Sequence, residues 1–311
     1  MTHVPIEHWK LFVQVAELGS LTKAAALRNK AQPVLSRQIT LLEQLCGQKL
    51  FERTGRGVAL TEAGRRALPR VKSWLGEADQ IVADVRASAG VPVGVVRVGV
   101  LSSTAPLLVG PLFQRVREQY PGIQLRVVES ASGQLAEWLR TGQIEIAVLF
   151  RSDKDGGPDD HPIAAVETLL VGCAGDPVTA SSTIDFELLD GLPLILMPET
   201  NHLRRVVQQA ADDKRMSINV AMECDSIAAQ KEAVALGGAY TVLGANSVIE
   251  ELNSGRLQAS RIVSPSIQRV LTLCLSSHRQ STLACRKVAA LVEECLHTLM
   301  RQTKQDGFIL P

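Results

Sequence analysis

Two groups of side chains in this 311-residue chain have types and spacings suited to binding another molecule. The first group combines Gln32, Ser36 and Arg37 with a basic run that contains Arg53 and Arg56. Gln pairs well with adenine, and Arg pairs with guanine or with phosphate. This group therefore predicts contact with nucleic acid.

The second group consists of three consecutive hydroxyl side chains, Ser102, Ser103 and Thr104, followed by Pro106. They lie between a predicted strand and a predicted helix, so the N–H groups of the first helical turn are expected beside them. Hydroxyls together with free N–H groups suit a small polar or anionic ligand. The alternative is that each hydroxyl only caps the helix.

Catalytic and metal-binding patterns are missing from the sequence. It has no nucleophile elbow, no phosphate-binding loop, no H-E-x-x-H motif and no obvious pair among its six histidines. Its six cysteines lack the C-x-x-C spacing of zinc sites, so we expect buried thiols at Cys46, Cys173, Cys224, Cys274, Cys285 and Cys295. We therefore expect no enzyme activity, no metal and no cofactor.

Charge is distributed unevenly along the chain. Residues 1–90 carry 13 Lys and Arg against 8 Asp and Glu, although the whole chain has a net charge of only +1. A basic head is typical of proteins that meet a polyanion. No apolar run approaches the ~18–20 residues that span a bilayer, and the N-terminus lacks the apolar core of a signal peptide. We expect a cytoplasmic protein with no membrane partner.

Helical periodicity predicts three short helices at the N-terminus, over residues 6–18, 21–27 and 32–45. Ser20 is placed to cap the second helix. In the third, one buried stripe is predicted at Leu35, Ile39, Leu42 and Cys46. Two glycines between short β-prone pieces then predict a hairpin with a basic tip. Three helices followed by such a hairpin indicate a winged helix-turn-helix.

A long helix is predicted from Thr61 to Ala89, before the break at residues 90–92. At ~1.5 Å per residue it would be about 43 Å long, more than a globular domain needs. Its apolar positions alternate steps of four and three: Ala67, Val71, Trp74, Ala78, Ile81 and Val85. This heptad pattern predicts packing on a second chain, and the alternative is a helix that covers its own core.

Strands alternate with helices from residue 91 onward, which predicts an α/β domain with a parallel sheet. A stretch rich in Asp, Gly and Pro at residues 151–162 is a candidate crossover. We therefore predict a hinged cleft between lobe I, residues 91–162 and 268–311, and lobe II, residues 163–267. A free-standing solute-binding protein is an alternative for this part, but the basic head argues against it.

Residues 18–64, LGSLTKAAALRNKAQPVLSRQITLLEQLCGQKLFERTGRGVALTEAG, resemble the N-terminal signature of the LysR-type transcriptional regulators. The Ala-Ala pair, Q-P-x-x-S-R, L-F-x-R and L-T-x-A-G all occur at the spacing of that family. Residues 130–150 and 261–276 are similar to its nitrogen assimilation control subgroup. One departure is Ala31, where most members have a serine that could cap the helix or contact phosphate.

The resemblance implies an α/β chain with an all-α winged helix-turn-helix head at residues 1–60, a dimerising linker helix at 61–90 and a two-lobed, periplasmic-binding-protein-like regulatory domain at 91–311. It implies a transcription regulator that binds double-stranded promoter DNA, forms a dimer or homotetramer, responds to a small effector and acts with RNA polymerase. Expected DNA contacts are Gln32, Pro33, Ser36, Arg37, Arg53 and Arg56, with Thr22 and Lys30. Expected effector contacts are Ser102, Ser103, Thr104, Ser130, Ser132, Thr200, Asn201 and Arg204.

Overall fold

The N-terminal part of the chain folds into four helices and a hairpin. In the computed structural model their bounds are α1 (Ile6–Leu18), α2 (Leu21–Leu27), α3 (Gln32–Cys46), β1 (Phe51–Thr54), β2 (Gly57–Leu60) and α4 (Glu62–Ala87). The structure describes residues 4–55, 57–87, 90–151, 160–277, 281–305 and 309–310, and the side chains of 77–87, 302–305 and 309–310 lie outside this description. The order of these elements confirms the winged helix-turn-helix.

Local capping explains where these helices begin. The Ser20 hydroxyl accepts a hydrogen bond from the Lys23 backbone N–H at 3.3 Å, as the sequence predicts. Thr61 caps α4 by accepting from the Gly64 N–H at 3.1 Å, and its hydroxyl also donates to the Lys49 carbonyl at 2.7 Å. Both hydroxyls are therefore used inside the protein.

The core of this unit contains Leu11, Phe12, Leu35, Ile39 and Leu42, all buried. The predicted stripe of α3 is thus correct at its first three positions. It is wrong at the fourth, because Cys46 is exposed at the end of the helix. The buried position in that last part of the helix belongs instead to a charged residue, Glu43, which is 6% exposed.

The first half of α4 covers the core of its own unit. Val71 is buried, and Ala67, Leu68 and Leu75 pack against the same cluster. At Ala67 and Val71 the helix therefore follows the alternative that the sequence leaves open, a helix that covers its own core. Trp74 on the same helix is 44% exposed. The side chains of the remaining predicted positions, Ala78, Ile81 and Val85, lie outside the described residues.

The second compact unit comprises residues 95–140 and 144–311, and the first comprises 1–94 with 141–143. The helices from β3 onward are α5 (Ala105–Gln119), α6 (Ser132–Arg140), α7 (His202–Asp213), α8 (Ile227–Ala235), α9 (Ile249–Asn253) and α10 (Leu283–Gln305). The strands are β3 (Gly94–Val100), β4 (Ile123–Glu129), β5 (Ile146–Arg151), β6 (Asp160–Cys173), β7 (Thr183–Asp185), β8 (Leu194–Leu196), β9 (Val220–Glu223), β10 (Tyr240–Gly244), β11 (Leu257–Val263), β12 (Gln268–Leu275) and β13 (Ile309–Leu310).

Strand β6 joins two lobes, because its two halves pair with different strands. Residues 160–167 pair with β12, which continues to β5, β3 and β4, and these strands form the sheet of lobe I. Residues 168–173 pair with β10 and β11, and β10 continues to β8 and β9 in lobe II. The pairing therefore changes at Thr168 rather than at residue 163.

The sheet is mixed rather than purely parallel. The pairs β3–β5, β8–β10 and β8–β9 are parallel, as alternating strands and helices predict. Strand β12 runs antiparallel to both β5 and β6, because the chain returns to lobe I after completing lobe II. Sequence periodicity missed β7, β11, β13 and the first half of β6.

Three of the six cysteines are buried as predicted, namely Cys274, Cys285 and Cys295. Burial raises the pKa of the Cys274 thiol to about 12 and that of Cys285 to about 11. Cys173 and Cys224 are only half-buried and Cys46 is exposed, so the expectation of six buried thiols is wrong for these three. Within the described residues, every helix is too short or too polar to cross a bilayer.

Candidate functional site

The start of α3 presents the polar side chains that the sequence predicts for DNA contact. Gln32, Pro33 and Arg37 are exposed and Ser36 is half-buried, whereas Leu35 between them points into the core. Thr22 and Lys30, on the preceding helix and turn, are exposed as well. The first turn of α3 has Ala31 at its cap position and no side-chain hydrogen bond there. Pro33 in this turn has no N–H and the Val34 N–H donates to the Ala31 carbonyl at 3.0 Å, so the exposed side chains rather than the backbone are the groups that this turn offers to DNA.

The basic side chains of this unit divide into paired and unpaired groups. Ion pairs hold Arg28 with Glu7, Lys49 with Glu43, Arg65 with Glu62 and Lys72 with Glu17. Among the described residues, no ion pair involves Lys30, Arg37 or Arg53, the cations that the sequence predicts for DNA contact. These three charges are free to meet phosphates.

A two-residue turn joins β1 to β2, because Thr54 pairs with Gly57. Arg53 lies exposed near the end of β1, and Arg56 lies outside the described residues. Gly57 is required by its close contact, since a Cβ there would lie 2.3 Å from the Gly19 carbonyl oxygen and its φ is +149°. The adjacent Val58 N–H donates to the same carbonyl at 3.0 Å. This contact docks the hairpin on the end of α1.

Glu43 links the hairpin to α3, and sequence analysis did not single it out. Its carboxylate accepts from the backbone N–H groups of Leu50 at 2.9 Å and Phe51 at 3.1 Å, and from Lys49 Nζ at 2.7 Å. Burial acts to raise the pKa of this carboxyl, but the three hydrogen bonds and the charge of Lys49 outweigh it and lower the pKa. The buried Glu43 carboxylate thus fixes the start of β1 against α3.

The second unit contains a cavity of about 490 Å³ between lobes I and II, which we call the cleft cavity. Its volume lies within the ~300–1,000 Å³ typical of ligand sites. The structure brings six of the eight predicted effector contacts to its wall. These six are Ser102 and Ser103 after β3, Ser130 and Ser132 after β4, and Thr200 and Asn201 before α7.

The other two predicted contacts, Thr104 and Arg204, are not brought to the wall of the cleft cavity. Thr104 is fully buried, and its hydroxyl neither caps α5 nor has a hydrogen-bond partner. Arg204 is a buried residue of α7, and its Nη1 donates to Gln208 Oε1 at 2.6 Å. The exposed neighbour, Arg205, lines the cavity instead. The miss at Arg204 arises from helix geometry, which turns it and the adjacent Arg205 to different faces of α7.

The capping alternative holds for one of these residues and not for the rest. Asn201 Oδ1 accepts from the Leu203 N–H at 2.9 Å and the Arg204 N–H at 3.4 Å, so it caps α7. Ser132 accepts from the Phe150 N–H at 3.3 Å. In the described part of the chain, the hydroxyls of Ser102, Ser103, Ser130 and Thr200 form no hydrogen bond and are available to a ligand.

Arg269 on β12 also lines the cleft cavity, and sequence reasoning missed it. Its side chain is 9% exposed, and its guanidinium carbon lies 3.9 Å from the centroid of the Phe150 ring. Burial lowers the pKa of this guanidinium to about 10. The available signal was a charge directly before the mostly apolar run from Val270 to Leu275, on the same strand, since charged residues are rarely buried without a reason.

A second cavity of about 480 Å³ shares Ser102, Ser103 and Asp225 with the first and is acidic. Its wall also carries Glu129, Glu250 and Glu251, with one cation, Lys231, that pairs with Glu251 at 2.6 Å. At this place the Asn246 side-chain amide of lobe II donates to the Ser103 carbonyl of lobe I at 3.0 Å. The two sides of the cleft therefore differ in charge. No group of three or more metal-ligating side chains occurs among the residues described.

Comparison with known proteins agrees with this architecture. Residues 6–65 match the model of the bacterial regulatory helix-turn-helix proteins of the lysR family, and residues 89–296 match that of the LysR substrate binding domain. The nitrogen assimilation regulatory protein nac of Klebsiella aerogenes is 30% identical, over 86% of this chain and 87% of its own length. The transcriptional regulator BbuR of Bordetella bronchiseptica is 30% identical, over 96% and 91%.

Solved structures show the same fold. Full-length CbnR in complex with its target DNA superposes with a TM-score of 0.68 at 19% identity, over 95% of this chain and 99% of that one. A full-length OxyR variant from Pseudomonas aeruginosa gives 0.67 at 20% identity, over 95% of both chains. The curated relatives named above are regulators rather than enzymes. The chain belongs to the LysR family of DNA-binding transcriptional regulators, with an N-terminal helix-turn-helix domain and a two-lobed effector-binding domain.

Proposed function

We propose that this regulator acts in the cytoplasm as an oligomer whose binding to promoter DNA changes when a small polar or anionic molecule occupies the cleft cavity. Residues 1–60 would bind DNA, 61–90 would join two chains and 91–311 would sense the ligand. The observation that carries this proposal is the wall of the cleft cavity. Hydroxyls from both lobes, Ser103 and Thr200 among them, face one ligand-sized space and have no hydrogen-bond partner in the described part of the chain.

On the DNA side, we assign base reading to the exposed start of α3. Gln32 and Arg37 would contact base edges in the major groove, with Pro33 and Ser36 beside them. Arg53 and Arg56 of the hairpin would contact phosphates or the minor groove, and Thr22 and Lys30 the backbone. The absence of ion pairs at Lys30, Arg37 and Arg53 in the described structure supports this division.

Self-association would use the second half of α4. Trp74 is exposed although it is a large aromatic residue, and Ala78, Ile81 and Val85 continue its heptad pattern. Pairing of regulatory domains would then assemble two dimers into a tetramer that spans more than one DNA half-site. RNA polymerase is the further partner that a regulator bound at a promoter would contact.

A ligand can regulate this assembly only through different affinities for its states. Lobes I and II each contribute to the cleft wall, so a ligand that contacts both favours the arrangement in which they are close. The spacing and affinity of the DNA-binding heads would follow. A ligand with equal affinity for all arrangements would change nothing, however tightly it bound.

Footprinting on the DNA upstream of the regulator's own gene, with and without a panel of metabolites, tests the proposal. We expect a metabolite to alter the wild-type footprint, and the double variant Ser102→Ala, Ser103→Ala to lose that change while still binding DNA. Thr104→Val is the matched control, because it removes a buried hydroxyl that has no partner and does not line the cavity. The proposal fails if no metabolite alters the wild-type footprint.

A further inference from the structure

Arg269 is a buried cation that has no counter-ion among the described residues. No hydrogen bond or ion pair reaches its guanidinium from the described residues, and its Nε is fully buried without a partner. The Phe150 ring covers one face of the guanidinium and cannot neutralise its charge. A buried charge destabilises a fold unless an opposite charge or hydrogen bonds complete it. Because Arg269 borders the cleft cavity, a ligand can supply what the protein does not.

Gly244 keeps open the space beside this guanidinium. A Cβ at position 244 would lie 2.6 Å from Arg269 Nη2 and 2.9 Å from Asn246 Oδ1. That amide oxygen is also buried without a partner. Any larger residue at 244 would push the guanidinium from its place, so the room around Arg269 depends on this glycine.

The rest of the wall favours a negative charge near Arg269. Helices α6, α7 and α8 begin at the cleft cavity, where their N-terminal ends carry partial positive charge. Arg205 adds a second cation, against one carboxylate at Asp225. Apolar side chains complete the wall, among them Leu101, Phe150, Met197, Leu203, Ile227 and Leu243.

We propose that the cleft cavity binds an organic monocarboxylate, with its carboxylate paired to Arg269 and its apolar body against Phe150 and Leu243. This proposal rests on the proposed function and specifies its ligand. A planar guanidinium matches the two oxygens of a carboxylate. One buried cation is neutralised by one negative charge, whereas a doubly charged phosphate would leave an excess charge in a poorly solvated site. The apolar wall suits a carbon body rather than an inorganic ion.

Thermal unfolding of the full-length protein tests this assignment. The probes are acetate, butyrate and benzoate, each compared with its neutral amide at equal ionic strength and equal chloride. We expect at least one carboxylate at saturating concentration to raise the wild-type melting temperature by roughly 2–4 °C or more, because ligand binding stabilises the folded state. Its amide should give no shift.

Two substitutions assign the effect to Arg269. Arg269→Met should abolish the carboxylate-induced shift without lowering the melting temperature of the ligand-free protein, because it removes an unpaired buried charge. Arg269→Lys should keep part of the shift. Gly244→Ala provides an independent test by displacing the guanidinium, and Gly110→Ala in α5, where a Cβ meets open space, is its control.

The assignment is overturned if no carboxylate shifts the wild-type protein, if the amides act equally well, or if Arg269→Met and Gly244→Ala both respond as the wild type does. The proposed function fails separately. If a carboxylate binds through Arg269 but leaves the footprint unchanged, the carboxylate site is supported and the proposed regulation of DNA binding is contradicted. If a neutral metabolite alters the footprint of Arg269→Met, the proposed regulation is supported and the assignment of a carboxylate ligand is contradicted.

Discussion

The DNA-binding head and the ligand cleft of this regulator are built in opposite ways. In the head, Gln32, Ser36 and Arg37 lie within one helix, and their exposure follows from helical periodicity alone. In the cleft, Ser102, Ser130, Thr200 and Arg269 come from four separate segments, and only the folded sheet brings them together. A site within one element can be read from its spacing, whereas a composite site needs the topology.

The two regions also treat buried charge differently. Glu43 in the head is buried with three hydrogen-bond donors around it, so its charge is fully compensated by the protein. Arg269 in the cleft is buried, and no hydrogen-bond acceptor among the described residues reaches its guanidinium. A buried charge whose hydrogen bonds come from the protein holds elements in place, whereas a buried charge without such partners is a candidate ligand site.

The largest effect on stability is expected from removing the Glu43 carboxylate. Glu43→Ala leaves the N–H groups of Leu50 and Phe51 without their acceptor, at about 1–3 kcal/mol each, so we expect the free energy of unfolding of the head to fall by about 2–5 kcal/mol. Glu52→Ala is the control, since Glu52 is exposed, and it should change stability by less than about 0.5 kcal/mol. Denaturant titration followed by circular dichroism measures both. Equal effects in the two variants would contradict the structural role of Glu43.

The second prediction concerns DNA. Arg37→Ala should weaken binding to the specific site by about 1–3 kcal/mol, the contribution of one good base contact. Arg53→Ala should weaken binding to all sequences and reduce the salt dependence. Gel-shift titrations at two salt concentrations, with specific and unrelated DNA, separate these outcomes. Unchanged affinity in both variants would contradict the assignment of α3 and the hairpin.

The third prediction divides α4 into an internal and an external part. Val71→Ala should lower the free energy of unfolding by about 1–2 kcal/mol, because Val71 is buried in the core of the head, and should leave the oligomer intact. Trp74→Glu should have the opposite profile, with weaker dimerisation and little loss of stability. Sedimentation velocity of the full-length variants at micromolar concentration measures association. A Trp74→Glu protein that associates like the wild type would show that the interface lies elsewhere.

The smallest expected effect is a pH dependence of stability. The pKa of Glu43 in the folded protein is lowered from its ordinary value of 4.5. Its contribution is therefore fully present above pH 4.5 and is lost as the pH falls through the lower folded value. The stability difference between wild type and Glu43→Gln should shrink over that acidic range. A constant difference across it would show that the carboxylate charge does not stabilise the head.

Sequence reasoning described the head almost completely. The three helices, the hairpin and the Ser20 cap follow from local signals such as periodicity, glycines and cap residues. It wrongly predicted that Cys46 is buried, and it did not predict the burial of Glu43. Glu43 is buried because it accepts hydrogen bonds from the start of the hairpin, a contact between separate elements. On α4, Ala67 and Val71 pack on the core of the head itself, and a heptad pattern alone cannot tell which apolar surface it will cover.

In the regulatory domain, the sequence predicted the alternation of elements and most of the cleft wall but not its chemistry. It identified Ser102 and Ser103 from their position after a strand. It also placed Thr104 and Arg204 at the cleft, because position along the chain does not tell in which direction a side chain points. Arg269 was missed because β12 pairs with strands that lie more than 90 residues earlier in the chain. Long-range pairing of this kind has no local signature.

The proposed function requires that the cleft and the DNA-binding head be energetically coupled. Isothermal titration of the full-length protein can measure the dissociation constant of the most stabilising carboxylate with and without saturating promoter DNA, and that of the DNA with and without the carboxylate. Because coupling is reciprocal, the account predicts that both constants change by the same factor in the wild type, and that the carboxylate leaves the DNA dissociation constant of Arg269→Met unchanged. Two wild-type constants that stay unchanged while the cleft is saturated would contradict it.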